Sequence, residues 1–341
     1  LYGSPFPGTI LQGLSMDKER YHYIVEKMIP RLNADILCLN EVVPGFLRIL
    51  EASDFVRENY FMSISMTTIS GYDSVMLSRW RFMVGGIRRN RLCLFKCESG
   101  DGLIIGALHL AASEADSHMR RRVKELHEIK GWIQSGKSIE APSDVQTECR
   151  GLWTDAQAHH NSILMGDMNF HNLCETDNIY SIDHEDVWLN LKGLEDEGYT
   201  WDPKENQFIR LLLPLDDRRM RLDRMMVGQM SRDIVFTDIS IFGREGIGIS
   251  RLCHRILPSD HYGLEGRVVI GGNGKGGKGM RGFDYYGNRD RILNGRDPNS
   301  TGFRSIKKII VYRYLCIGIL VLLLLSLLIT GGYLTYRSLK S

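Results

Sequence analysis

The chain predicts a mixed α/β (α+β) fold, a two-layer β-sandwich flanked by helices, followed by one C-terminal transmembrane helix. Three observations carry this. From Leu1 to about Ile270, strand-like apolar runs alternate with amphipathic helical stretches. Three of those runs stop abruptly at groups able to do chemistry: ADILCLNE (Ala34–Glu41), ILMGDMNFH (Ile163–His171) and PSDH (Pro258–His261). Near the end stands Tyr314–Leu334, a stretch without a single charge.

The 341 residues, 43% hydrophobic and 25% charged, can bury the full core of one large domain. A formal charge of +2 is too near zero to argue by itself for nucleic acid. Seven cysteines, with Cys38 and Cys316 inside apolar runs, fit a reducing compartment better than a disulfide framework. Cys93 and Cys97 have no second ligand pair at zinc-site spacing.

Taken in order, Tyr21–Leu32 has helical periodicity and leads into a strand at Asp35–Leu39. Pro44–Leu50 starts a helix, and Asp73–Leu77, Leu92–Lys96 and Leu103–Leu110 read as strands, with His109 near the end of the last. Arg120–Gln134 puts Val123, Leu126, Ile129 and Ile133 on one helix face. Gln134–Asn161 is polar and reads as a surface insertion, and the run Arg120-Arg121-Arg122 reads as a solvated helix face. His118 and His171 read as ordinary surface or helix residues. After the central run, Asp186–Leu191, Met225–Val227, Ile234–Ile241 and Gly263–Ile270 supply further strand-like segments.

The domain therefore spans residues 1–270. Residues 271–308 are rich in Gly, Lys and Arg and poor in aliphatics, the composition of a flexible linker. Residues 309–336 hold the transmembrane segment, long enough to cross a bilayer, and 337–341 a short tail. Arg304, Lys307, Lys308 and Arg313 precede the segment against Arg337 and Lys340 after it, which places the domain on the cytosolic side of a single-pass, tail-anchored protein. The chain starts at Leu1 rather than methionine, so a removed leader would be invisible.

Acid, amide and imidazole groups arriving separately at strand ends suit hydrolysis of a phosphoester. Magnesium takes oxygen ligands and keeps waters, so one carboxylate can suffice; Glu41 is the candidate ligand, and manganese would serve similarly. Asp167 can orient and deprotonate an in-line water, and Asn169 can donate to the phosphate. His109 and His261 are donors for the charge that gathers on the transition-state oxygens.

In order and spacing, Asn40-Glu41, His109, Gly166-Asp167-Met168-Asn169, Arg221-Leu222-Asp223 and Ser259-Asp260-His261 resemble the endonuclease/exonuclease/phosphatase superfamily. Within it the pattern is most similar to the type-2 tyrosyl-DNA phosphodiesterases, through Glu41-Val42-Val43-Pro44, Asp186-Val187-Trp188, Tyr199-Thr200-Trp201-Asp202 and Arg221-Leu222-Asp223-Arg224. The resemblance covers roughly residues 9–270 and implies a magnesium-dependent phosphodiesterase. It gives Asp223 the task of orienting His261, puts Asp260 near the metal as a second or outer ligand, and sets Trp201 at the mouth of a groove to stack on a base. Asn40 is placed on the substrate side.

The pattern fails at the first strand, where the family's asparagine falls on Ile10; Gln12 is the substitute group for substrate binding. Three readings follow. One is a phosphodiesterase acting on a 5′-modified nucleic acid end. A second is a membrane-bound lipid phosphodiesterase resembling the neutral sphingomyelinases. The third is a catalytically weakened, membrane-anchored interaction module.

Overall fold

The structure is a computed structural model. It describes residues 16–270 apart from 67, 70, 88–89, 97–101, 136–160, 214–215, 230–233 and 250–254. The expected first strand with Ile10 and Gln12, the linker and the apolar Tyr314–Leu334 segment lie outside the described residues. Among the described residues no helix is long and apolar enough to cross a membrane.

Helix α1 (Asp17–Tyr23) runs through a π-helical turn (Ile24–Met28) into α2 (Ile29–Leu32), where Asn33 ends it in the left-handed conformation. Strand β1 (Ile36–Val42) follows, then α3 (Pro44–Ala52), with proline at its start, and α4 (Asp54–Asn59), capped by the Ser53 hydroxyl. Next come β2 (Phe61–Met62), β3 (Asp73–Ser78), β4 (Met83–Ile87), β5 (Asn90–Lys96) and β6 (Gly102–His109). Helix α5 (Asp116–Ser135) precedes the central β7 (Ser162–Asp167). Then follow α6 (Asp177–Ser181), β8 (His184–Asp186), α7 (Val187–Lys192), α8 (Gln207–Leu212), β9 (Asp223–Gly228) and β10 (Ile234–Phe242). The short hairpin β11 (Gly248–Ile249) and β12 (Arg255–Ile256) leads to β13 (Gly263–Ile270).

One layer is a six-stranded sheet in the order β4-β5-β6-β7-β9-β8. Its β6–β7 pair is parallel, as a crossover through α5 demands, and its other pairs are antiparallel. The second layer holds β1-β3-β2 and β10-β13 as separate antiparallel ribbons. Met76 of β3, Ile105 of β6, Met225 of β9 and Phe236 of β10 are buried between the layers. Outside the six-stranded sheet, Leu126, Ile129 and Trp132 of α5 cover Leu92, Ile104 and Leu164; outside the other layer, Val25, Phe46 and Leu50 cover Val75 and Leu77. This is the mixed sandwich with flanking helices that the alternation of patterns predicts.

Two expectations are corrected. Asp186–Leu191 is not a strand: only Asp186 belongs to one, and its carboxylate then accepts the Trp188 and Leu189 amide hydrogens, starting α7. Nor is Arg120–Arg122 wholly a solvated face. Arg122 is buried, donating to Glu175 at 2.8 Å and to the Ala111 and Ser113 carbonyls.

Candidate active site

The strand order fixes which groups meet. His109, at the end of β6, lies in register with Asp167, at the end of β7, and Asp167 in register with Asp223, at the start of β9. Asp167 owes its placement to Gly166, which has φ +136; a Cβ there would strike the Leu108 carbonyl oxygen and lie 2.8 Å from Asn40 Nδ2. Beyond it, Asn169 takes a left-handed φ of 52 and donates its amide N–H to Asp167 Oδ1 at 2.8 Å. The chain thus turns back over its own carboxylate. Asn169 Nδ2 donates one of its two hydrogens to the Leu110 carbonyl at 3.0 Å.

On the facing layer, the pairing of β1 with β3 slips between Leu39 and Val42, and within that slip Glu41 adopts φ 55. A non-glycine residue there costs roughly 1–3 kcal/mol, the strain expected where a side chain is re-aimed toward a site. Glu41 Oε1 lies 3.5 Å from His109 Nε2, which is 3.8 Å from Asp167 Oδ2. Asn40, expected on the substrate side, also has structural partners. Its Nδ2 donates to the Leu108 carbonyl at 2.9 Å and its Oδ1 accepts from Ser74 at 3.0 Å, so it ties the two layers together.

The third contribution is the turn before β13. His261 Nδ1 pairs with Asp223 Oδ2 at 2.8 Å. Burial alone would lower the imidazole, but Asp223, with Asp167 and Asp260 behind it, raises it to about 10. The pairing favours the imidazolium form. The partner shows the reciprocal effect: burial works to raise Asp223, and His261 holds it below the usual carboxylate range. Asp167 goes the other way, raised by burial and by the Asp223 charge against the pull of His261 and His109. Two carboxylates paired across β7 and β9 thus have opposite tendencies.

Asp260 is buried, and the charges of His261 and Arg20 are among those that lower it against the effect of its burial. Its turn is gripped from two sides. Arg20 of α1 donates Nε to the Pro258 carbonyl at 3.0 Å while its guanidinium lies 4.0 Å over Phe208. Asn206 donates Nδ2 to the Ser259 and Asp260 carbonyls. Thr200 completes the frame, its hydroxyl accepting the Asp223 N–H at 3.1 Å and its carbonyl the Tyr262 N–H at 2.8 Å.

Trp201 differs from the open stacking ring expected. It is only 8% exposed, packed with Ile209, Met220 and Leu222, and meets His261 edge-on at 5.1 Å. The ring supports the imidazolium rather than offering a face to solvent. Tyr72 plays a similar part against His109, with ring centroids 5.7 Å apart, and no strand-end motif in the sequence pointed to it. His171, read as an ordinary surface residue, is largely buried, and burial with the nearby Arg122 charge lowers it to about 4.

The donor set is tested for a divalent metal by its chemistry. Among the described residues no three His, Cys, Asp or Glu side chains form a metal-binding group. A hard ion that keeps most of its waters asks for one or two carboxylates, and Glu41 meets that requirement.

No family model matches the chain, and neither does any curated protein. Solved structures do. The fold is shared with truncated Caenorhabditis elegans TDP2, 17% identical, with a TM-score of 0.51 over 76% of this chain and 94% of that one. Also similar are D. rerio TDP2 complexed with single strand DNA product (17% identity, TM-score 0.47, 73% of this chain and 90% of that one) and an endonuclease/exonuclease/phosphatase from Beutenbergia cavernae (14%, 0.44, 74% and 66%).

Proposed function

We propose that the chain is a magnesium-dependent phosphodiesterase that hydrolyses a phosphoester at a nucleic acid end, held to a membrane by Tyr314–Leu334 with residues 1–270 facing the cytosol. The observation that carries the catalytic reading is the His261–Asp223 pair at 2.8 Å beside Asp167, three groups brought from separate parts of the chain. A scaffold has no need to bury that set.

In this reading Glu41 holds the cation, which when bound offsets charge on the phosphate oxygens and keeps waters in place. Asp167, raised by burial, accepts the proton of the attacking water as its oxygen bonds to phosphorus. His261, already protonated, donates to an equatorial oxygen as charge accumulates there, and His109 donates from the other side. Asn169 orients the phosphate with its remaining amide hydrogen. The P–O bond to the leaving group breaks in line with the attack.

The ordered motifs from Tyr199 to Arg224 favour a nucleic acid end over a lipid headgroup. The test uses the detergent-solubilised full chain with magnesium. It releases p-nitrophenol from the p-nitrophenyl ester of thymidine 5′-monophosphate, Asp167→Ala abolishes release, and a 5′-tyrosyl oligonucleotide is preferred to sphingomyelin. Preference for the lipid would overturn the substrate, and no turnover with magnesium or manganese would overturn the enzyme.

A further inference from the structure

The catalytic groups all lie at one end of their strands, so each strand also has a remote end. Strand β3 starts at Asp73, paired with Val42 beside Glu41, and finishes at Ser78, paired with Ile36. Trp80 and Phe61 lie at that far end, since Phe61 pairs with Ser78. Strand β13 starts next to His261 and runs away for eight residues to Ile270, about 25 Å at a strand's rise. Six large apolar residues are exposed among those described: Trp80 (54%), Phe61 (41%), Val268 (36%), Val269 (53%), Ile270 (44%) and Ile249. Five of the six sit at strand ends remote from the catalytic groups.

Charge and connectivity suggest what covers them. Arg79 and Arg81 flank Trp80, with the Arg81 guanidinium 4.9 Å over the Phe61 ring, and Arg267 precedes Val268. Arg79 donates to the Asn33 carbonyl and pairs with exposed Asp35 at 3.9 Å, a pair that water and salt weaken, and Arg267 lies in register with Asp238 on β10. An exposed tryptophan between arginines, with Phe61 at the same end of β3, matches the layered chemistry of an anionic lipid surface, and Val268–Ile270 add exposed aliphatics at the remote end of β13. From Ile270 the chain continues for 71 residues (341 − 270), which include the basic linker and the apolar Tyr314–Leu334.

We propose that this remote end, through Trp80, Phe61 and Val268–Ile270 with Arg79, Arg81 and Arg267, docks on an anionic bilayer surface, so that the catalytic end faces the aqueous phase. The inference rests on the anchored reading above and sharpens it: a mouth turned away from the bilayer takes a soluble phosphodiester, not a lipid headgroup of the same membrane.

The experiment is amide hydrogen exchange on the full chain, in phosphatidylcholine vesicles with and without phosphatidylserine and in detergent. On phosphatidylserine vesicles, peptides covering Phe61–Met62, Arg79–Arg81 and Arg267–Ile270 are protected, and those covering Asp167–His171 and Ser259–Tyr262 are unchanged. Replacing Arg79 and Arg81 by serine lowers the protection about tenfold. A chain that does not float with vesicles overturns the anchor, and the docking with it. A chain that floats without protection at the remote end, or with protection at the catalytic end, overturns the docking alone. Remote-end protection without lipid also overturns it, making the occupant a second copy if it grows with protein concentration or a nucleic acid if an oligonucleotide produces it.

Discussion

Replacing Asp223 by asparagine isolates the electrostatic element of the site. The carboxylate lies 2.8 Å from His261 Nδ1, and its charge does most to lift the imidazole from 6.5 to about 10 against burial. That interval corresponds to on the order of 5 kcal/mol of preference for the charged form, shared with Asp167 and Asp260. Asparagine preserves shape and can still hydrogen-bond but removes the charge. If the imidazole falls back to 6.5, its protonated fraction at pH 8 drops to roughly 3%, so kcat/KM falls about thirtyfold there and about twofold at pH 6.5. The assay is the pH profile of p-nitrophenyl ester hydrolysis with saturating magnesium, alongside NMR titration of the His261 ring. The linkage sign gives a second check. Stability from a raised histidine is fully present below pH 6.5 and lost as pH rises through about 10, so wild-type stability falls across that window and the variant's falls less. An equal loss of activity at every pH from 6 to 9, with His261 still titrating near 10, would refute the reasoning.

Other outcomes follow from single features. Gly166→Ala puts a Cβ against the Leu108 carbonyl at a φ of +136, costing roughly 2–4 kcal/mol and lowering Tm by about 5–15 °C, whereas Gly45→Ala, in open space on α3, leaves Tm unchanged or raised. Glu41→Gln raises the magnesium concentration for half-maximal activity at least tenfold while leaving the circular dichroism spectrum intact; an unchanged midpoint would remove Glu41 as the ligand. His184 is buried between Ser162 Oγ at 3.0 Å and the Ile182 carbonyl at 2.8 Å, and burial lowers it to about 4. The folded state therefore binds fewer protons, and stability falls by about 3 kcal/mol as pH drops from 6.5 to 4. His184→Gln flattens that part of the urea-midpoint profile, and identical profiles would contradict the assignment.

The frame of the molecule was readable because strand cores announce themselves: ILCL, LIIGAL and SILM are apolar runs whose ends coincide with polar groups, and β1, β6 and β7 stand where those runs do. The meeting of the candidate groups was readable for the same reason, since a carboxylate after such a run has to emerge at a strand end. Short elements were not. The two residues of β2 and the glycine-containing β4 carry too little periodicity, and the Val-Trp-Leu of α7 favours strand until the Asp186 cap is seen. Burial of polar groups was least readable. Whether Asn40 faces a substrate or Leu108, whether Arg122 faces water or Glu175, and whether Trp201 stacks or packs depend on residues tens of positions away.

The contact from Arg20 to the Pro258 carbonyl joins residues 238 positions apart. Closing so long a loop has an entropic cost that only native packing can offset, which makes that contact one of the last to form. During synthesis α1 emerges well before residue 258, yet its buried guanidinium has no Pro258 to bind until nearly the whole described domain has left the ribosome. The turn carrying Asp260 and His261 is then set by a residue made 238 positions before Pro258. A partly synthesised chain can hold much of the six-stranded sheet while the turn of Asp260 and His261 is still unset, so on the proposed function activity would appear abruptly, as a late event, in a time course of folding.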